Sequence, residues 1–279
     1  MRKIEEKFFK ALMIVSSITI LGVLLYILYT VVVRGLPSLS LDMITKIPSG
    51  GFYLGKEGGI LNAIIGSIYL ISGAVFLSII ISIPVVMFLN FYLRKKSFFA
   101  DFARLCFDIL FGIPSIVYGA FGFALMIYLG IKASLLGGII AITMLIIPIM
   151  IRSIDEVAGL ISNDLIEAPM ALGATKYETI KVILRQLMPG ITTAILLSVG
   201  RGIGDAATVL FTSGYTDSIP TSLGQPTASL PLAIFFQLSS PVEEVQNRAY
   251  AAALILTVII LILSFSGRYF SRKLSKHKI

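Results

Sequence analysis

Few residues in this 279-residue chain carry chemistry by themselves. There is one histidine, His277, within the last three residues, and one cysteine, Cys106. A histidine-based triad or a Cys/His metal site inside the fold is therefore excluded, and no intrachain disulfide can form. Arg201 and Asp205 stand out instead, four residues apart inside the apolar run 189–213. A charge at mid-bilayer costs about 2.5–3.5 kcal/mol even on the lenient insertion scale, so such an arginine must face a partner group or a wet path. Its planar fork of donors matches the oxygens of an oxyanion. Asp205 at i+4 is placed to pair with it. Two expectations follow: Arg201 contacts a passing anion while Asp205 orients it, or the two only neutralise each other. Gly200 and Gly204, also four apart, let another helix approach closely. Thr208, Thr212 and Ser213 add hydroxyls, although such groups in membrane helices usually bond their own backbone.

A second chemical pattern is Gly50-Gly51-Phe52-Tyr53-Leu54-Gly55-Lys56, which has the GxxxxGK spacing of a phosphate-cradling loop. Glu57 follows where Ser or Thr should bind magnesium, and no strand precedes it. It is read as a chance match, so the chain is expected to carry no ATP site.

The elements that must hold these residues are set by composition. Hydrophobic residues make up 57% of the chain and charged residues 14%, and mean hydropathy is +0.95. A soluble domain carries roughly 25% charge, so lipid must cover the surplus apolar surface. Disorder is excluded on the same ground. About 20 apolar residues cross a bilayer, and six runs meet or approach that length: 11–33, 61–91, 110–130, 133–151, 189–213 and 248–267. The first is too long for a signal h-region of about 7–15 residues and reads as a retained span. Gly130 marks the stop between the third and fourth, which form a hairpin.

Charge sets the orientation. With the N-terminus inside, segments 1–10, 92–109, 152–188 and 268–279 carry four, four, four and five Lys/Arg, 17 in all. The opposite side carries Arg34, Lys46, Lys56, Lys132 and Arg248. Both termini are thus expected in the cytoplasm. The net charge of +8 needs no nucleic acid to explain it.

Between the spans, residues 98–110 place Asp101, Arg104 and Asp108 on one helical face and Phe98, Phe99, Phe102, Leu105 and Ile109 on the other. That is an amphipathic helix at the inner interface, an elbow into the third span. The apolar stretch Leu230–Leu238 is too short to span and reads as interfacial or re-entrant. Pro84, Pro148 and Pro114 sit within spans, where proline permits kinks. Residues 152–188 form the one long inner segment. Asp155, Glu156, Asp164 and Glu167 come early in it, and Lys176, Lys181 and Arg185 late. This suits two short helices and their dipoles, with Gly173 at the turn between them.

The run Glu167-Ala168-x₄-Gly173-Ala174-Thr175-x-Tyr177-x-Thr179-Ile180, closed by Pro189-Gly190-Ile191, resembles the EAA loop of ABC importer permeases. The resemblance implies that this loop is the coupling helix, which sits in a groove of a cytoplasmic ATPase. It assigns Glu167, Ala168, Ala171, Leu172, Gly173 and Ala174 to that contact. Pro169 stands where the family usually has a small residue, and Arg185 replaces a usual proline.

Three further stretches resemble the phosphate importer permeases within that family. Gly112-Ile113-Pro114-Ser115-Ile116-Val117-Tyr118-Gly119 is similar to their G-I/V-P-S-I/V-V-F/Y-G segment. Gly200-Arg201-Gly202-Ile203-Gly204-Asp205-Ala206-Ala207 is similar to A-R-A-x-G-E-T-A, with Asp205 for the usual Glu. Ser229–Phe235, followed by Ser239-Ser240-Pro241, resembles the PstA-type subunit rather than its PstC-type partner. The resemblance implies an all-α, six-span type I importer permease in a prokaryotic cytoplasmic membrane. It is a transport subunit and not an enzyme, and binds no cofactor itself. ATP and Mg would sit on a PstB-type ATPase dimer. The other implied partners are a PstC-type permease, membrane lipid and an external PstS-type phosphate-binding protein, met by loops 34–60 and 214–247. Sulfate or molybdate remains an alternative cargo, since one arginine does not distinguish oxyanions. An ATP-independent transporter would show several intramembrane carboxylates or a clear inverted repeat, and the sequence has neither.

Overall fold

A computed structural model describes residues 2–49, 57–93, 97–162 and 164–275. The glycine-rich match at 50–56 and His277 lie outside the described residues. Ten α-helices follow in order: α1 (Arg2–Gly35), α2 (Leu41–Thr45), α3 (Leu61–Met87), α4 (Phe98–Phe111), α5 (Ser115–Tyr128), α6 (Leu135–Gly159), α7 (Asp164–Ala171), α8 (Lys176–Ile203), α9 (Leu230–Leu238) and α10 (Glu243–Ser275). A single π-helical turn, Phe88–Tyr92, ends α3. Among the described residues there is no strand beyond one isolated bridge, Pro48 to Gly58.

Among the described residues five helices are long and apolar enough to cross a membrane, and the bent pair α4–α5 counts as a sixth when taken as one broken span. The protein is an all-α polytopic membrane protein. The expected third span, 110–130, is not one straight helix. It comprises the last turn of α4 and all of α5, with a bend of 100° between the two helices. Gly112 ends α4, and Pro114, which has no N–H, stands at the N-cap of α5. α4 keeps the expected two faces. Phe98, Phe102, Leu105 and Ile109 are exposed, while Arg104 and Asp108 turn toward α6.

Further boundaries differ from the sequence reading. α6 runs on to Gly159, and α8 already begins at Lys176. The segment 152–188 is thus mostly helix, with α7 between short breaks. α8 then stops at Ile203, ten residues before the expected end of the fifth span at 213. Three glycines in five positions (Gly200, Gly202, Gly204) weaken the helix there by about 1 kcal/mol each relative to alanine. Asp205 then takes the backbone N–H of Thr208 with its carboxylate at 2.8 Å, which starts a separate series of turns.

The core is a stack of apolar clusters along α3, α6 and α8. The middle one gathers Leu70, Ile71, Ile139, Ile142, Ile146 and Ile203. Toward α7 lie Val86, Met150, Ile151, Ile154, Ile183 and Leu187. At the opposite end lie Met43, Ile60, Ala63, Leu230, Ala251 and Ala252. The first half of α9, Leu230–Ala233, is therefore buried against α3 and α10, while Phe235 and Leu238 are exposed. α1 is different: its most apolar stretch buries nothing inside this chain. It meets α10 at its far end, where Gly35 lies against the Tyr250 carbonyl. Most of the rest of its surface is exposed.

Candidate functional site

Arg201 lies in the last turn of α8, not at the middle of a long helix. Its depth is nevertheless central. A side-chain carbon at the next residue, Gly202, would meet Ile71, Ile142 and Ile146. Those α6 residues sit seven and eleven positions into the helix, about 10–17 Å from its start. The helix therefore ends inside the membrane. Non-helical backbone at that depth survives only when buried in protein or lining a wet cavity.

The segment 204–213 meets that demand with specific bonds. The Ser134 N–H donates to the Thr212 carbonyl at 3.0 Å, and the Thr227 N–H to the Ser213 carbonyl at 2.8 Å. Thr208 donates its hydroxyl to the Ser115 carbonyl at the start of α5, at 3.2 Å. Gly119 of α5 lies against the Ala207 and Thr208 carbonyls, so close that a Cβ would stand 2.7 and 2.9 Å from their oxygens. Thr212 and Ser213 bond the Thr208 and Val209 carbonyls, as hydroxyls in membrane segments commonly do.

The two charges are held differently. Asp205 has 6% of its side chain exposed and Arg201 has 53%. Their closest approach is 4.0 Å, long for a charge-assisted hydrogen bond. Asp205 spends one oxygen on the Thr208 N–H and lines a water-sized cavity with Ser67 and Ser229. Arg201 thus points away from the bundle. It shares an exposed strip of α8 with Thr193, Leu197, Gly200 and Gly204. No sequence signal announced the Thr208 to Ser115 bond, because it joins residues 93 positions apart.

The second cluster of expected site residues lies at the other end of α8. α7 ends in a Schellman turn: the Ala174 N–H reaches the Pro169 carbonyl at 3.0 Å and the Gly173 N–H the Met170 carbonyl at 3.0 Å. Gly173 adopts φ +86°, the left-handed conformation such a turn needs. Thr175 and Glu178 then close a capping box that starts α8. Glu167, Ala168, Ala171, Leu172 and Gly173 are exposed and Ala174 is half-buried. Leu172 is 90% exposed and Tyr177 76%. An apolar knob on a rigid turn, with small residues around it, suits insertion into a groove. From Lys176 to Arg201 one helix spans about 38 Å.

Residues 82–276 match the sequence family described as binding-protein-dependent transport system inner membrane component. Among curated proteins, the phosphate transport system permease protein PstA of Haemophilus influenzae is 33% identical over 273 residues, 96% of this chain and 94% of that protein. The PstA of Yersinia pestis is 36% identical over 91% of this chain and 85% of its own length. A chain of the inward-facing MetNI methionine ABC transporter superposes with a TM-score of 0.60 over 77% of this chain and 95% of its own, at 18% identity, which is a likeness of fold alone. A family match across more than two thirds of the residues, joined to full-length relatives above 30% identity, means that this chain belongs to the binding-protein-dependent transport system inner membrane components, among their PstA-type permeases.

Proposed function

We propose that this chain is a transmembrane subunit of an ATP-driven importer of inorganic phosphate. It would pair with a homologous PstC-type permease and dock on a PstB-type ATPase dimer through the α7–α8 turn. It would receive phosphate from a PstS-type external binding protein. The observation that carries the reading is that α8 has the exposed coupling turn at one end and the exposed mid-membrane Arg201 at the other. Movement imposed on the turn by an ATPase is delivered to Arg201 by a single helix.

In this reading Arg201 offers its guanidinium fork to the phosphate oxygens along the path between the two permeases. Asp205 anchors the segment that carries it and leaves a negative charge close by, so that the anion is held and released. Both termini and α7 lie in the cytoplasm, which the charge asymmetry supports. ATP and Mg belong to the ATPase, and this chain binds no cofactor and performs no covalent chemistry. It sits in a prokaryotic cytoplasmic membrane.

The test is uptake of labelled phosphate into vesicles holding this chain, its permease partner and the ATPase, with the binding protein outside. Uptake that requires internal ATP and ignores excess sulfate is the expected result. ATP-dependent uptake of sulfate or molybdate instead would replace the cargo and keep the class. Uptake indifferent to ATP would overturn the role given to α7.

A further inference from the structure

Away from Arg201, a set of charged side chains tied to one another joins the ends of α3 and α6 to the middle of α4, near α7. Asp155 stands on the second-to-last turn of α6, with 11% of its side chain exposed. One carboxylate oxygen accepts the Asn90 amide N–H at 2.6 Å, and the other accepts Arg104 Nε at 2.9 Å. Arg104 closes the ring by donating Nη2 to the Asn90 side-chain oxygen at 3.3 Å. Asn90 belongs to the π-helical turn after α3, an irregularity that is rare and frequent at functional positions. One turn away, Arg152 of α6 pairs with Asp108 of α4 at 3.1 Å.

Stability alone does not call for such a ring. Paired charges taken out of water are often no better than apolar residues of the same shape, yet removing one partner is costly. What a ring of this kind supplies is a fixed geometry between elements that must move together. Here those elements are informative. α6 is joined to α7 by only four residues, 160–163. α4 leads through its 100° bend into α5. α5 holds the segment beside Arg201 through Ser115 and Gly119.

We infer that Asn90, Arg104 and Asp155 form a transmission joint, giving the coupling turn a second mechanical route to the Arg201 site through α6, α4 and α5. These three are positioning residues that do not touch the cargo. α8 alone would swing Arg201. The ring makes the opposite wall, α5 and residues 205–212, move in step. The inference rests on the function proposed above.

The test uses the reconstituted complex with Asp155→Asn, Arg104→Gln and the charge exchange Arg104→Asp with Asp155→Arg. Each single change is expected to leave assembly and ATP hydrolysis close to wild type, because the docking turn is untouched. Phosphate moved per ATP should fall about ten-fold, the range of a coupling free energy between sites. The exchange should recover most of it. A second readout does not depend on cargo: spin labels replacing Phe102 on α4 and Ser162 after α6, with Cys106→Ser. The separation should stay single and narrow with and without nucleotide in wild type, and broaden in Asp155→Asn. Unchanged transport per ATP in the single variants would overturn the joint. So would loss of assembly that the exchange does not repair, which marks a structural tie only. Absence of phosphate uptake in wild type would overturn the cargo reading, and the label separations would still decide the joint.

Discussion

Arg201 has more than half of its side chain exposed, while Asp205 is buried and already engaged by the Thr208 N–H. The pair therefore divides into a reaching group and an anchoring group. Removing the guanidinium in Arg201→Gln removes charge-assisted hydrogen bonds worth about 1.5–3 kcal/mol. ATP-driven phosphate uptake should fall at least ten-fold, with the amount of assembled complex unchanged. Asp205→Asn keeps an oxygen for Thr208 and should fold normally. Asp205→Ala leaves that N–H without its cap and should cost about 1 kcal/mol of stability. Thermal unfolding of the purified variants separates the two. Uptake by Arg201→Gln equal to wild type at equal expression would remove Arg201 from the pathway.

At the scale of elements, two glycines are required for opposite reasons. Gly119 lets α5 lie directly on the carbonyls of Ala207 and Thr208. Gly119→Val would push α5 off that segment, with an overpacking cost of about 1–3 kcal/mol and a lower midpoint of thermal unfolding. Gly173 is the opposite case, since nothing lies within 4 Å of where its Cβ would be. The cost of Gly173→Ala is conformational, about 1–2 kcal/mol for a left-handed residue, and falls on the turn proposed to meet the ATPase. Coupled ATP hydrolysis should weaken while the isolated chain stays folded. Gly173→Asn, which tolerates that conformation better, should be milder. Equal coupling in all three would detach the Schellman turn from docking.

For the whole molecule, the two sides of the bundle are distinct. α7 and the Asn90–Arg104–Asp155 ring occupy one end, and α2, α9 and the start of α10 the other. The Lys/Arg excess predicts that the α7 end faces the cytoplasm. Cysteines introduced singly for exposed Ser162 and Thr221, in a Cys106→Ser background, test this on intact cells. A membrane-impermeant thiol reagent should modify position 221 and spare 162. The reverse pattern would invert the topology. α1 leaves its apolar length unburied within this chain.

Composition and spacing were enough for the membrane class, the number of apolar runs and the elbow at 98–110, because lipid demands long uninterrupted hydrophobicity and the helix repeat sorts charged from apolar faces. The turn at Gly173 within the 167–180 motif was equally legible, since a glycine between two helical runs is a local signal; the Thr175–Glu178 capping box was found in the structure. The charge pair at 201 and 205 was visible as an anomaly in an apolar run. What local reading did not reach is where α8 ends. The glycines and Asp205 are local, but only bonds to Ser115, Ser134 and Thr227 make the broken backbone tolerable at that depth. The bent third crossing and the Asn90–Arg104–Asp155 ring share that origin. Their partners come from separate helices, and such bonds exist once packing has brought distant residues together.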